Sequence, residues 1–335
     1  MEKYLPAVCY HPTTVVIVDD NRKFLESLQL ELDPKQACYC AFDDSTKALE
    51  YLTKEYRFDP FPNRCLLHPV EEQLEHRTVD IDVRAIHNEA NNKKRFAEIS
   101  VLVIDYAMPN LNGFDLCQKL QKKPFKKILL TCEADESLAI KAFNSGIIDM
   151  FIRKNSPDFA ATINNAIHDL QKKYFHELSK LIINCLITNY EYKSEFLTDA
   201  GFIDFFEEVF TDLNMSEYYL MDSLGSFMFL DYQGKAKWLV VKNEAEMQGL
   251  TEFAVNENAP KKIISALTKR SHIPYFHTDD ELQTPPANWW KYMHPAKVLK
   301  HDAVYYYAII SDAKAYSIDG KILSFADYCK KNKVK

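Results

Sequence analysis

Two short apolar runs that each end on carboxylates constrain this chain most: Val15-Val-Ile-Val-Asp19-Asp20 and Val101-Leu-Val-Ile-Asp105. Runs of branched residues bounded by turn signals predict fully buried strands of a parallel sheet. In open α/β sheets the working groups gather outside the carboxyl ends of the strands. Asp19, Asp20 and Asp105 are therefore expected to meet at one edge. Two like charges about 4 Å apart repel by roughly 4 kcal/mol at an effective dielectric near 20, so three such acids must protonate or recruit a cation. Hard oxygen ligands suit Mg²⁺, which keeps several waters and pairs with phosphate oxygens.

Two further strand ends supply the rest of a phosphoryl-accepting apparatus. Lys127-Ile-Leu-Leu-Thr131 delivers a hydroxyl, and Ile147-Ile-Asp-Met-Phe151-Ile-Arg-Lys154 an ammonium. A carboxylate nucleophile, a divalent metal, a hydroxyl and a lysine can together accept a phosphoryl group. Each element also has an ordinary reading, and Asp20, ahead of Asn21-Arg-Lys-Phe-Leu-Glu, fits a helix N-cap.

The order acid pair, Asp105-x-x-Met108-Pro109-x-x-x-Gly113, Thr131, Lys154 resembles the CheY-like receiver domain of two-component response regulators. The resemblance implies that Asp105 is the phosphoacceptor. It also implies that Asp19, Asp20, Asp105 and the backbone carbonyl of Ala107 hold Mg²⁺. Thr131 and Lys154 become the switch hydroxyl and the phosphate-contacting lysine, and Phe151 falls at the family's rotating aromatic. Two departures stand out. Asn155 follows the lysine where the family has a proline after a cis bond, so the bond is either cis without proline or the loop is built differently. Roughly 40 residues more than a compact receiver needs separate the second helix from the Asp105 strand.

Length of 335 residues leaves room for two domains. A net charge of −7 argues against a general nucleic-acid surface. The eight cysteines include no C-x-x-C pair or zinc spacing. No signal peptide and no apolar run of about 18 residues is present, so a cytoplasmic protein without membrane attachment is expected.

The expected fold is an α/β doubly wound, parallel five-stranded (flavodoxin-like) domain with a helical insertion, then a long linker helix and an α+β output domain with an antiparallel sheet. The boundaries are an N-terminal extension at 1–12, a receiver at 13–170 with the insertion at about 57–98, a linker or dimerisation helix at 171–190, and the output domain at 191–335. Strands are expected near 14–18, 37–42, 127–131 and 147–152, with helices near 21–32, 46–56, 114–122 and 135–145. Within the insertion, Val70, Leu74, Val79, Val83 and Ile86 give one narrow stripe. It predicts a solvated helix packed on its own domain, or an arm for dimerisation or partner docking. The last receiver helix, starting at Pro157 or Asp158, carries apolar residues from Phe159 to Cys185 without Gly or Pro until about Asn189. Its stripe fits either a coiled coil with a second copy or packing on the second domain.

In the output half, Phe196 to Leu213 reads as a Phe-rich helix. Asp222-x-x-Gly225 and Asp231-x-x-Gly234 read as hairpin turns before any metal pair. Strands at Ala303–Ile310 and Ala313–Ile318 and a closing helix at Leu323–Lys331 complete the pattern. Trp289 and Trp290 read as core or pocket wall, and His272, His277, His294 and His301 lack an ordering acid. No helix-turn-helix, Walker loop or cyclase signature is present, and DNA or nucleotide binding has no motif behind it. Taken whole, the layout resembles the Lqs-type quorum-sensing response regulators. That implies a sensor histidine kinase as donor, a homodimer, and a signalling protein rather than an enzyme. The alternative is a receiver-gated nucleotide-binding or enzymatic output.

Overall fold

A computed structural model of the protein describes residues 6–57, 59, 61–67, 80–132, 136–188, 194–276, 279–311 and 322–331. Five strands form one parallel sheet: β1 (Thr13–Val18), β2 (Ala37–Phe42), β3 (Ile99–Asp105), β4 (Lys126–Thr131) and β5 (Met150–Arg153). Their order is β2-β1-β3-β4-β5. β3 is central and every one of its residues is buried. That explains why its sequence is continuously apolar rather than alternating. One face packs Val16, Val18, Leu102, Ile104 and Leu129 into one core. The other face packs Val15, Ile17, Val101, Val103, Ile128 and Leu130 into a second.

Four helices cover the sheet's crossovers: α1 (Arg22–Glu31), α2 (Ser45–Glu50), α3 (Gly113–Lys119) and α4 (Glu136–Asn144). α2 runs on as a π-helical turn over Tyr51–Glu55. The N-cap of α1 is Asn21, whose side chain accepts from the Phe24 N–H. This corrects the capping role considered for Asp20 and leaves that carboxylate exposed. Strand β5 begins at Met150 rather than near Ile147. Ile147 and Ile148 instead donate back to the Ala142 carbonyl, closing α4 through Gly146 at φ 68°.

The expected long helix is α5, Phe159–Thr188. Ile163, Ile167 and Leu170 belong to the second sheet core. Farther along, Ile182, Ile183 and Leu186 are buried, and Leu181 and Ile187 are the exposed large apolar residues of that stretch. The stripe is thus buried from Ile163 to Tyr174 and opens from Leu178 to Cys185.

Contacts divide the chain into two compact units. The parallel unit comprises Tyr10–Asn63, Asn92–Leu178 and Ser324–Lys335, and the other comprises Met1–Cys9, Arg64–Asn91 and Ser179–Leu323. The central part of the expected insertion therefore counts with the second unit. Its short helix Val83–Asn88 buries Ile86, and Arg64 pairs with Glu89 at 2.8 Å. The stripe residues Val70, Leu74 and Val79 lie outside the described residues.

The second unit is built on an antiparallel sheet containing β6 (Met215–Leu220), β7 (Phe227–Asp231), β8 (Ala236–Asn243), β9 (Lys297–Lys300) and β10 (Val304–Ile310). These lie in the order β6-β7-β8-β10-β9, and Leu220 at the β6 side donates to the Val8 carbonyl. Both Asp-x-x-Gly segments are turns. Asp222 accepts from the Leu224 and Ser226 N–H groups, and Asp231 from those of Gln233 and Lys235. Gly225 and Gly234 take φ of 96° and 78°. These bonded aspartates are hairpin devices. The Phe-rich helix, α6 (Ala200–Asp212), packs Phe206 edge-on to Tyr218 and against Phe227 and Phe229. Trp289 is buried, with its indole N–H on the Thr284 carbonyl, as a core residue would be; Trp290 is exposed, which corrects the core reading for it. The expected strand at 313–318 and His277 fall outside the described residues. The closing helix begins two residues later than expected, as Phe325–Lys331.

Asp199 caps α6 by accepting from the Gly201 and Phe202 N–H groups, and its other oxygen accepts from Ala303. His301 lies 2.8 Å away, which supplies the ordering acid that the sequence did not reveal. Burial alone would raise this carboxyl, but the backbone donors and Tyr305 outweigh it and hold the pKa below the usual range. A depressed acid stabilises the fold above its unfolded pKa, and that contribution disappears as pH falls through the folded value. Replacing Asp199 by Ala should therefore cost about 1–2 kcal/mol at neutral pH. Urea unfolding should show the deficit shrinking below the ordinary carboxylate range, and a pH-independent deficit would refute this account.

Candidate functional site

Asp19, Asp20, Asp105, Thr131 and Lys154 sit at or just past strand ends of the parallel sheet, and the ladder is extended past β1, β3 and β5 to place them. Asp19 donates its N–H to the Phe42 carbonyl at 3.1 Å, Tyr106 to Leu130 at 3.0 Å, and Lys154 to Thr131 at 3.0 Å. Carboxylate oxygens of Asp19, Asp20 and Asp105 consequently lie within 4.8 Å of one another. Asp19 and Asp105 are buried, and Asp20 opens to solvent.

Lys154 spans the two buried acids. Its Nζ is 2.6 Å from Asp19 Oδ2 and 2.7 Å from Asp105 Oδ1. The other Asp19 oxygen accepts from the Asn21 N–H at 2.9 Å. Phe24, one turn into α1, places its ring 4.4 Å from the same ammonium, a cation–π contact. Burial pushes the Asp105 carboxyl above the usual aspartate value against the pull of Lys154, and the Asp19 and Asp20 charges push the same way. Burial on its own would lower Lys154, but its hydrogen bonds to Asp105 and Asp19 prevail and raise it. One ammonium against three carboxylates leaves the cluster anionic.

Two observations indicate that the site is built for more than its own side chains. The Thr131 hydroxyl is buried without a hydrogen-bond partner, which costs about 1–3 kcal/mol and is uncommon in a native fold. The residual negative charge, open at Asp20, suits a hard divalent cation with oxygen ligands. The acids present therefore fit Mg²⁺.

Gly113 explains the spacing of the motif. A Cβ at that position would stand 2.1 Å from the Asp105 carbonyl oxygen. The loop before it closes through the Gly113 and Met108 N–H groups on the Tyr106 carbonyl, with Asn110 at φ 65°. Ala107 is exposed in that loop. Phe151 is half-buried on β5 against the first core and is paired in register with Leu129. The Lys154–Asn155 bond is not cis, and no peptide bond among the described residues is. Ser156 instead donates back to Arg153, and Phe159 to Ser156. This turn joins Thr131 and Cys132 in lining a small pocket beside the strand ends.

Sequence reasoning missed Phe24 beneath the lysine and Asn21 as the cap that frees Asp20. An aromatic one turn into the helix after the acid pair was the available signal for the first.

A parallel 2-1-3-4-5 sheet with this acidic cluster at its carboxyl edge defines a receiver domain. The family model for the response regulator receiver domain matches residues 63–163. The structure of the Legionella pneumophila response regulator LqsR is similar over 98% of this chain and 97% of its own, at 34% identity and a TM-score of 0.80. The chain belongs to the LqsR family of response regulators. An adenylate cyclase structure from Rhodopirellula baltica matches at 20% identity over 52% of this chain and 97% of its own, with a TM-score of 0.36. A receiver domain protein from Clostridium thermocellum matches at 18% over 48% and 95%, with a TM-score of 0.32. No protein of curated function matches. Among the described residues no helix is long and apolar enough to cross a membrane.

Proposed function

We propose that the protein is a phosphorylation-dependent regulator that accepts a phosphoryl group on Asp105 from a sensor histidine kinase. The observation that carries this reading is the cluster of Asp19, Asp20 and Asp105 with Lys154 between two of them. Asp19, Asp20 and Asp105, with the Ala107 carbonyl, would hold Mg²⁺, which supplies charge neutralisation for an incoming phosphoryl group. Asp105 is the nucleophile, and Lys154 is placed to exchange its bond to that carboxylate for one to a bound phosphoryl oxygen. The unpartnered Thr131 hydroxyl would donate to another.

The response would pass through the face formed by α4 and β5. Leu138, Ile140 and Phe143 are exposed on α4, and Phe151 is only half-buried beside that helix. An apolar surface of this kind supports association with a second copy. The likeness to LqsR supports a place in quorum-sensing control.

Intact-mass measurement with acetyl phosphate and Mg²⁺ tests the reading. One phosphoryl group should be gained with the metal and none after chelation. Equal gain with and without the metal, or no gain at all, would overturn it.

A further inference from the structure

Cys38 lies on β2, the edge strand of the parallel sheet, and Cys329 on the helix Phe325–Lys331. Though 291 residues apart in sequence, their sulfurs stand 3.3 Å from each other. Both are free thiols and both are half-buried, so the pair is covered without being sealed. The helix is seated on the parallel unit by aromatic contacts that hold this approach in place. Phe96 packs against Phe325 and Tyr328 at 5.0 and 5.3 Å between ring centroids. A disulfide needs its sulfurs about 2.05 Å apart, so closure asks for a movement of about 1.3 Å.

We propose that Cys38 and Cys329 are a modification site: a dithiol that hydroperoxides close into a disulfide, fastening the C-terminal helix to the edge strand. The two thiols are not equivalent. The hydrogen bond between the two sulfurs draws the Cys329 thiol below its ordinary pKa, and the same bond, with burial, raises Cys38. Cys329 is accordingly the attacking sulfur, because the thiolate is the reactive form. Its thiolate displaces hydroxide from hydrogen peroxide and becomes a sulfenic acid. The Cys38 sulfur then attacks the Cys329 sulfur, the S–O bond breaks, and the oxygen leaves as water with the Cys38 proton. In sum two thiols give up two electrons and two protons, and one peroxide becomes two waters. A thiol reductant reverses the closure by exchange.

The fastening acts at a sheet edge whose residues Cys38–Phe42 are half-buried. Edge strands are prone to pairing with other chains, and covering them with a helix is one way proteins blunt them. Oxidation would make that cover covalent.

The full-length protein is treated with stoichiometric hydrogen peroxide, denatured, alkylated and mapped by peptide mass. The expected result is loss of two alkylatable thiols out of eight and a Cys38–Cys329 cross-linked peptide that thiol reductant removes. Cys38→Ser should stop the reaction at a Cys329 sulfenic acid trapped by dimedone, and Cys329→Ser should abolish both products. Circular dichroism confirms that each variant is folded, and Cys→Ala variants replace any that is not. A disulfide mapped elsewhere, a cross-link between two chains, or oxidation of Cys132 in preference to this pair would overturn the proposal.

Discussion

Asp105→Asn should reduce phosphoryl incorporation from acetyl phosphate by at least about 100-fold while leaving the fold intact. Asparagine keeps the shape and a hydrogen-bonding oxygen for Lys154, but its neutral amide oxygen is no nucleophile toward phosphorus. Stability should not fall. Burial holds the Asp105 pKa above the usual carboxylate value. An acid raised in this way binds its proton more tightly folded than unfolded, so its ionisation weakens the fold as pH rises through that window. At neutral pH the variant escapes this cost. A second readout separates the loss of a nucleophile from the loss of metal. Ligand that binds only the folded state stabilises by about 1.4 kcal/mol at ten times its dissociation constant. Mg²⁺ should therefore raise the melting temperature of the wild type and raise that of Asp105→Asn less. Undiminished labelling of the variant would remove Asp105 from the centre of the site.

The receiver half was legible because its determinants are local. The apolar runs Val15–Val18 and Val101–Ile104, bounded by turn signals, read as buried strands, and the acids at their ends fall where parallel strands finish. The order of elements then leaves few topologies. What stayed hidden depended on long-range packing. Nothing local in Arg64–Asn91 tells that it clusters with a sheet more than 120 residues away in sequence. Arg64 and Glu89 look like solvated charges until the fold makes them partners. The same holds for His301, whose ordering acid Asp199 sits about a hundred residues earlier. It holds most of all for Cys38 and Cys329, at opposite ends of the chain. Asp20 failed for the opposite reason. Local chemistry fits it as well as Asn21 for a cap, and only the observed bond to Phe24 decides between them.

Gly113→Ala should be among the most damaging single-methyl additions in the chain, costing about 3 kcal/mol or more. The reason is contact rather than conformation, since Gly113 is not among the glycines with positive φ. The added carbon would stand 2.1 Å from the Asp105 carbonyl oxygen, 2.9 Å from its carbon and 3.0 Å from a Leu129 methyl. Backbone on one side and a core side chain on the other leave no flexible group to give way. Either α3 withdraws from β3, or the end of β3 moves and takes the Asp105 carboxylate with it. Gly146 provides the comparison. Its φ of 68° strains an alanine, yet open space surrounds its Cβ position, so Gly146→Ala should cost about 1 kcal/mol. Urea midpoints measured side by side should rank wild type above Gly146→Ala above Gly113→Ala. Acetyl phosphate labelling should drop for Gly113→Ala alone. If Gly113→Ala retained the wild-type midpoint and labelling, close packing of the loop on the Asp105 backbone would not be what sets the eight-residue spacing between that aspartate and its glycine.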